Sequence, residues 1–221
     1  MSTSAAAPIG LLGGSFDPVH AGHLQLARDA QKALGLAELI FVPAGRPWQK
    51  GVITPAADRV RMLELAVHAK PHWRIDTRET ERSGPSYTVD TLKQFRAESG
   101  PQQSLVWILG FDQLRQLATW HRWQELTDLA HLAFARRCGT PDDLEPAMSR
   151  YIAQRLGTVA DLRRCAAGTL VEFPMLPVDC SATGIRRWLA AGDHAQASQF
   201  LTAPVLDYIR THQLYTPFHG K

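Results

Sequence analysis

The sequence predicts an α/β fold, a mainly parallel β-sheet with helices on both faces. Short apolar runs alternate with longer amphipathic segments along the 221 residues, which is the pattern of strands joined by crossover helices. The run LVWIL at residues 105–109 lies near the middle of the chain and is apolar throughout, as expected of a central strand buried on both faces. We expect one domain, residues 1–221, with residues 1–8 as a flexible tail.

Strands are predicted at the short apolar runs. In chain order, these are residues 9–12, 39–42, 73–75, 105–109, 132–135 and 170–173. Pro43 ends the second strand, because proline has no N–H for a continuing hydrogen-bond ladder.

Helices are predicted where apolar residues recur at three- and four-residue spacing. They cover residues 24–34, a segment that starts at Thr54 and Pro55, a segment from Thr88 to Gly100, and residues 185–191 and 204–212. Thr88 is a favourable N-cap residue and Gly100 a favourable C-terminal residue. The polar stretch at residues 142–150 is predicted to be a loop or an insertion.

Composition restricts the class of protein. The net charge is +3 and the sequence has no dense Lys/Arg block, which argues against a nucleic-acid partner and leaves room for small anionic ligands. The longest apolar run is too short to cross a bilayer, and the N-terminus lacks the charged region of a signal peptide. Three cysteines without C-x-x-C spacing, Cys138, Cys165 and Cys180, favour a reducing compartment. We therefore expect a cytoplasmic protein with no membrane partner.

The segment GGSFDPVHAGHL, residues 13–24, does not fit the common glycine motifs. It lacks the Gly-Lys-Ser/Thr of a P-loop, the G-x-G-x-x-G of a dinucleotide site and the G-x-S-x-G of a nucleophile elbow. His20 and His23 are too close in sequence for an H-E-x-x-H zinc site, and no acidic or cysteine cluster completes one. We therefore predict no metal ion held by protein ligands.

The same segment does have the layout of an anion site. A strand ends, glycines turn the backbone, and a helix is predicted to begin near Gly22, where its N–H groups and dipole favour negative charge. His20 and His23 stand at this helix start with further N–H donors. The features predict a polyphosphate site; the alternative, a well-formed turn with two solvated histidines, stays open.

The segment CSATGIRRWL, residues 180–189, repeats this chemistry. Ser181 and Thr183 are N-cap residue types before a helical run. Arg186 falls in the first turn, where a cation opposes the helix dipole, and its planar donor fork suits a phosphate. The alternative is an exposed helix whose arginines pair with Asp179 or Asp193.

Together these motifs resemble a known superfamily. GSFDPVHAGHL resembles the [HT]-x-G-H motif of the nucleotidylyltransferases, and SATGIR resembles their S-[ST]-T-x-[IV]-R motif, from which Ala182 departs. GPSYTVDTLKQF, LGFDQL, TWHRWQEL and PVLDYIRTHQLY are similar to the bacterial nicotinate-nucleotide adenylyltransferases. The match runs in order along nearly the whole chain and implies a Rossmann-like sheet of the nucleotidylyltransferase type. Trp48-Gln49 departs from the Pro-His that many members carry before the lysine.

The resemblance implies a reaction and its partners. Nicotinate mononucleotide and ATP would give deamido-NAD and pyrophosphate, a step of NAD biosynthesis, with Mg²⁺ carried by the ATP phosphates. The sequence leaves the oligomeric state open, a homo-oligomer included. No protein nucleophile is needed, because the attacking phosphate is already an anion.

The resemblance also implies roles for individual residues. The catalytic set is His20, His23 and Arg186. The ATP-binding set is Gly13, Gly14, Ser15, Phe16, Lys50, Asp112, Ser181 and Thr183. The set that binds nicotinate mononucleotide is Tyr87, Thr88, Trp120 and His121. From spacing alone Trp120 is a core residue; the resemblance makes it a stacking partner of the pyridine ring.

Three other functions remain to be separated. Pantetheine-phosphate adenylyltransferases share both outer motifs, but their chains are shorter and lack PSYTVDTL and TWHRW. A nucleotide-binding regulatory module without turnover would be free to lose His20, His23 and Arg186, which are all present. A tRNA- or DNA-binding protein would carry a basic stripe, which the sequence lacks.

Overall fold

A single six-stranded parallel sheet organises the protein. The computed structural model describes residues 7–47, 53–136 and 144–216. The strands are β1 (Ile9–Gly14), β2 (Glu38–Pro43), β3 (Trp73–Ile75), β4 (Leu105–Gly110), β5 (His131–Arg136) and β6 (Leu170–Pro174). All six predicted strands are confirmed, and each neighbouring pair is parallel.

The strand order is β3-β2-β1-β4-β5-β6. The chain moves outward from β1 to β3, returns to place β4 on the other side of β1, and moves outward again to β6. The order reverses between β1 and β4, where Leu12 is paired with Ile108. At such a reversal the loops after the two strands diverge and leave a crevice at their carboxyl ends, where ligands bind in sheets of this kind.

Ten α-helices connect or flank the strands in the described residues. They are α1 (Ala21–Leu34), α2 (Ala56–Val67), α3 (Arg78–Glu81), α4 (Thr88–Ser99), α5 (Phe111–Arg115), α6 (Leu126–Leu129), α7 (Pro146–Ala153), α8 (Ala182–Ala190), α9 (His194–Ser198) and α10 (Ala203–Thr211). All five predicted helices are confirmed, and every bound that was predicted lies within three residues of the observed one.

Two local predictions are wrong. Thr88 does not cap α4: it is the first helical residue, Tyr87 is the N-cap, and the Tyr87 side chain makes no capping hydrogen bond. The stretch at 142–150 was expected to be irregular, but α7 begins at Pro146, and residues 142 and 143 lie outside the described ranges. Of the predicted tail at residues 1–8, residues 1–6 lie outside the described ranges, and the carbonyls of Ala7 and Pro8 accept hydrogen bonds from Gln103 and Ala37.

The core has two parts, one on each face of the sheet. Alternate strand residues point to opposite faces. Leu12, Phe41 and Ile108 join the cluster beneath α1, α2, α8 and α10, whereas Leu11 and Leu109 join the cluster beneath α4 to α7. The helices therefore cover both faces, as predicted. None of the helices described is long and apolar enough to span a membrane.

Candidate active site

A cavity of about 420 Å³ opens at the carboxyl ends of β1 and β4. It brings together most of the predicted site. The lining residues that were predicted are Gly13, Gly14, Ser15, His20, His23, Tyr87, Thr88, Asp112, Trp120 and His121. The first motif forms one end of the cavity, and the segments that begin α4 and follow α5 form the other.

The two histidines form a reciprocal cap on α1. The Gly22 N–H donates to Nδ1 of His20 over 3.2 Å, and the His20 N–H donates to Nδ1 of His23 over 3.3 Å. Because a backbone N–H only donates, both Nδ1 atoms are acceptors and each neutral ring carries its proton on Nε2. The ring centroids are 3.8 Å apart. The local structure thus fixes two adjacent N–H donors at the helix start.

His20 is only 7% exposed, so the alternative of two solvated histidines is wrong for this residue. His23 is half-buried, and its ring packs edge-on against Phe16 with centroids 5.1 Å apart. Both histidines line the cavity.

The glycine turn is shaped by aromatic packing. A Cβ on Gly13 would lie 2.3 Å from the ring of Trp107, so only glycine fits between β1 and this side chain. Phe16, which was predicted to bind ATP, is fully buried and packs against Phe41 with centroids 5.8 Å apart. Phe16 is not among the residues that line the cavity.

The second motif caps α8 and reaches back to the first motif. Ser181 is the N-cap, and its Oγ accepts from the Gly184 N–H over 3.1 Å, as its residue type predicted. Arg186 donates from Nη1 to the Asp17 carbonyl over 2.6 Å and from Nη2 to Thr183 Oγ1 over 3.2 Å. The predicted alternative partner Asp193 instead caps α9 through the Gln196 N–H.

Ser181, Thr183 and Arg186 are not among the residues that line the cavity. Arg186 joins the site through the Asp17 carbonyl, Thr183 is bonded to Arg186, and Ser181 caps the same helix. The structure therefore connects the two motifs directly, although the bonded residues Asp17 and Arg186 are 169 positions apart in sequence.

The opposite end of the cavity is aromatic. The rings of Tyr87 and His121 stack with centroids 4.3 Å apart. Trp120 both packs against the core cluster beneath α4 to α7 and lines the cavity, so the core-packing and binding interpretations of this residue are compatible. Asp112 is exposed in the first turn of α5, directly after β4.

The comparisons with known proteins agree with this geometry. The family profile described as cytidylyltransferase-like matches residues 11–187. A protein of Dechloromonas aromatica named probable nicotinate-nucleotide adenylyltransferase is 42% identical over 213 residues, which cover 94% of this chain and 97% of the relative. The protein of the same name from Laribacter hongkongensis is 45% identical over 210 residues, 94% of each chain.

This chain belongs to the nicotinate-nucleotide adenylyltransferase family. It is thus a nucleotidyltransferase of NAD biosynthesis. The fold agrees: the nicotinic acid mononucleotide adenylyltransferase of Plasmodium falciparum, solved in complex with NaAD, superposes with a TM-score of 0.75 at 17% identity and covers 95% of this chain and 98% of its own.

Sequence reasoning missed a buried arginine in this adenylyltransferase. Arg59 is fully buried and donates to the carbonyls of Ser15 over 2.7 Å, Thr54 over 2.9 Å and Gly45 over 3.2 Å. Burial lowers the pKa of its guanidinium, and the nearby Asp17 charge opposes that shift. The available signal was its place on the apolar stripe of α2, three and four residues before Met62 and Leu63.

Glu79 is a second missed residue. It lines the cavity, is 5% exposed, and accepts from Thr91 Oγ1 over 2.6 Å. Burial raises the pKa of its carboxyl, while hydrogen bonds from Thr91 and Ser86 act in the opposite direction. Ser86 Oγ in turn accepts from the Gly45 N–H over 3.0 Å. Glu79 thereby ties the segment before α4 to the loop after β2.

Lys50, with its neighbours Trp48 and Gln49, lies outside the described residues. Within the described ranges there is no group of three or more His, Cys, Asp or Glu side chains that could hold a metal ion.

Proposed function

We propose that this enzyme transfers the adenylyl group of ATP to nicotinate mononucleotide in the cavity at the carboxyl ends of β1 and β4. A phosphate oxygen of the mononucleotide attacks the α-phosphorus of ATP in line. The bond from that phosphorus to the bridging oxygen breaks, and pyrophosphate leaves with the electron pair. The products are deamido-NAD and pyrophosphate. The observation that carries the proposal is the reciprocal cap at the start of α1, in which Nδ1 of His20 and Nδ1 of His23 both accept, so that Nε2 of each ring is the donor.

The histidine pair binds and stabilises the triphosphate. Its neutral N–H donors, together with the N–H groups of the first turn of α1, are oriented before the substrate arrives. Such preorganised donors lower the barrier when they strengthen as charge moves onto the leaving pyrophosphate. The remaining catalytic work is alignment of two anionic substrates.

Arg186 adds positive charge beside the same turn. Its fork is held by Asp17 and Thr183, which leaves the guanidinium oriented for the β- or γ-phosphate. Ser181, as the α8 N-cap, contributes the start of a nine-residue helix next to it. Gly13, Gly14 and Ser15 bring backbone close to the nucleotide, and Asp112 suits the ribose hydroxyls.

Mg²⁺ fits this site as an ion carried by the substrate. The donors at the first-motif end are imidazole N–H and guanidinium groups, which bind phosphate oxygens and not cations. When bound, Mg²⁺ would neutralise charge on the phosphates. Lys50 remains a proposed phosphate ligand.

The acceptor binds at the other end. The Tyr87 side chain does not cap α4, and the N–H groups of the first turn of this helix are suited to the carboxylate of nicotinate. Trp120 stacks on the pyridine ring, and His121 lies beside it on Tyr87. A carboxylate accepts hydrogen bonds only. The amide of nicotinamide would instead place its own N–H donors against the N–H donors at the start of α4.

One assay separates the candidate functions. The protein is incubated with ATP, Mg²⁺ and one acceptor, either nicotinate mononucleotide, nicotinamide mononucleotide or phosphopantetheine, and pyrophosphate release is measured. We expect release with nicotinate mononucleotide far above the others. Preference for phosphopantetheine would assign the alternative transferase, and ATP binding without release on any acceptor would assign the regulatory module.

A further inference from the structure

Asp17 is the point at which four distant parts of the chain meet. Its side chain is 3% exposed. Oδ1 accepts from the Tyr215 hydroxyl over 2.6 Å, and Oδ2 accepts from the Thr54 N–H over 3.3 Å. Its carbonyl accepts from Arg186 over 2.6 Å. The charge of the Arg59 guanidinium also interacts with the Asp17 carboxylate.

Tyr215 approaches Asp17 in a constrained conformation. It follows α10 with a φ of 62°, in the left-handed region that a bulky residue rarely adopts. Its neighbour Leu214 and the Tyr215 ring itself pack against the core cluster beneath α1 and α10. The surrounding structure therefore holds the hydroxyl on the aspartate, since a strained backbone persists only where its surroundings determine it.

The tyrosine remains a donor across the physiological pH range. Burial raises the pKa of its phenol, and the Asp17 charge raises it further. The Arg186 charge acts on the same phenol in the opposite direction, which places the hydroxyl, the carboxylate and the guanidinium in one electrostatic unit.

We infer that Tyr215 is a positioning residue for triphosphate binding: by holding the Asp17 side chain it fixes the Asp17 carbonyl, and that carbonyl fixes the guanidinium of Arg186. This inference rests on the proposed function, in which Arg186 binds a phosphate. Tyr215 itself does not line the cavity and acts through Asp17. Loss of its hydroxyl leaves a buried carboxylate oxygen without that donor, which favours movement of the turn.

The chain contains a matched control. Tyr208, in α10, donates from its hydroxyl to Asp58 Oδ1 over 2.8 Å. This second tyrosine–aspartate hydrogen bond ties α10 to α2 and touches neither the turn nor Arg186. Tyr215→Phe and Tyr208→Phe therefore remove the same chemical group from the same region, and only the first removes it from the turn.

The test measures the Kd of ATP by calorimetry without acceptor, kcat and KM for ATP, and the melting temperature of each variant. For Tyr215→Phe we expect Kd and KM for ATP to rise about tenfold, because the displaced Arg186 guanidinium loses the equivalent of one hydrogen bond to the charged triphosphate. We expect kcat to stay within about twofold of wild type. For Tyr208→Phe we expect both constants within about twofold of wild type. Equal ATP affinity in the two folded variants would overturn the inference.

A double-mutant cycle tests the route through Arg186. Tyr215→Phe combined with Arg186→Lys is expected to raise the Kd of ATP by much less than the product of the single effects, because both changes disturb the same guanidinium. Tyr208→Phe combined with Arg186→Lys is expected to be multiplicative. A multiplicative result in the Tyr215 cycle would overturn the inference. If wild type bound ATP but released no pyrophosphate, the proposed function would fail while this cycle still tested Tyr215.

Discussion

The thiol of Cys180 lies 3.4 Å from Nδ1 of His20. The second motif thus touches the first one at the imidazole proposed to bind phosphate, in addition to the link through Arg186 and Asp17. The contact falls on the nitrogen that accepts from Gly22, so it supports the ring state in which Nε2 is the donor.

The effect of a substitution at Cys180 on kcat/KM for ATP should therefore depend on the charge of the new side chain. Cys180→Ala leaves the Gly22 hydrogen bond in place, and we expect kcat/KM for ATP within about threefold of wild type. Cys180→Asp puts a carboxylate against Nδ1, which attracts a proton there, competes with the Gly22 N–H and repels the triphosphate. We expect kcat/KM to fall at least about tenfold. Similar values for the two variants would show that His20 is insensitive to its Nδ1 side.

His23→Ala tests the proposed transition-state donor. We expect kcat to fall by about 10²–10³-fold, the scale for loss of one preorganised donor, with a smaller change in ATP affinity. The exposed His68, at the end of α2, gives the control His68→Ala, which should keep wild-type rates. An unchanged kcat in folded His23→Ala would remove this residue from the mechanism.

Acceptor choice should depend on the start of α4 and not on the tryptophan. We expect kcat/KM for nicotinate mononucleotide to exceed that for nicotinamide mononucleotide by a large factor, up to about 10⁴, because the amide leaves buried donors unpaired. Trp120→Ala should lower both values and keep most of the ratio, since stacking serves both rings.

Trp123 supplies the control for that experiment. It is partly buried, packs edge-on against Tyr151 with centroids 4.8 Å apart, and does not line the cavity. Trp123→Ala should leave the KM for the mononucleotide unchanged. Equal wild-type values for the two acceptors would contradict the carboxylate site, and a ratio that collapses in Trp120→Ala alone would assign selectivity to the tryptophan.

His131 predicts how stability changes with pH. The residue is fully buried in β5; its Nδ1 accepts from the Thr169 N–H over 3.1 Å, and Nε2 lies 3.0 Å from the Cys165 carbonyl. Burial lowers the pKa of the ring below its ordinary value of 6.5. The unfolded chain then binds the proton more readily, so the stability from the neutral ring is complete above about pH 6.5 and is lost as the pH falls below it.

The measurement is the free energy of unfolding by urea between about pH 7.5 and 5.5. His131→Gln should be less stable than wild type at pH 7.5, because it disturbs two hydrogen bonds, and should show a flatter pH profile. An equally steep profile would assign the acid sensitivity to other groups.

The strands and long helices could be predicted because their signals are local. A run such as LVWIL is apolar at every position when helices cover both faces, and the two core clusters that alternate along β1 and β4 confirm that reason. The position of the two histidines could also be predicted, since His20 and His23 flank the helix start in the sequence. Whether their rings were buried or solvated depended on contacts made in the folded chain, such as those of His20 with Cys180 and of His23 with Phe16, which residue types alone do not give.

The contacts that hold the site together could not be predicted from local sequence patterns. Arg59 interrupts an apolar stripe, and only the structure shows that three carbonyls satisfy it. Tyr215 bonds an aspartate 198 residues away. Thr88 was predicted as a cap from its residue type, yet the backbone places Tyr87 at that position.

The separation between Asp17 and Tyr215 bears on how far the first motif can be moved between proteins. The turn at residues 15–18 is anchored by Arg59 on one helix, Arg186 on another and Tyr215 beyond a third. The twelve residues GGSFDPVHAGHL carry the two imidazoles but none of these anchors. Grafted onto a different α/β scaffold, these residues would form a helix start without a fixed turn. The segment therefore identifies a nucleotide site in a sequence but is not sufficient to create one in another protein.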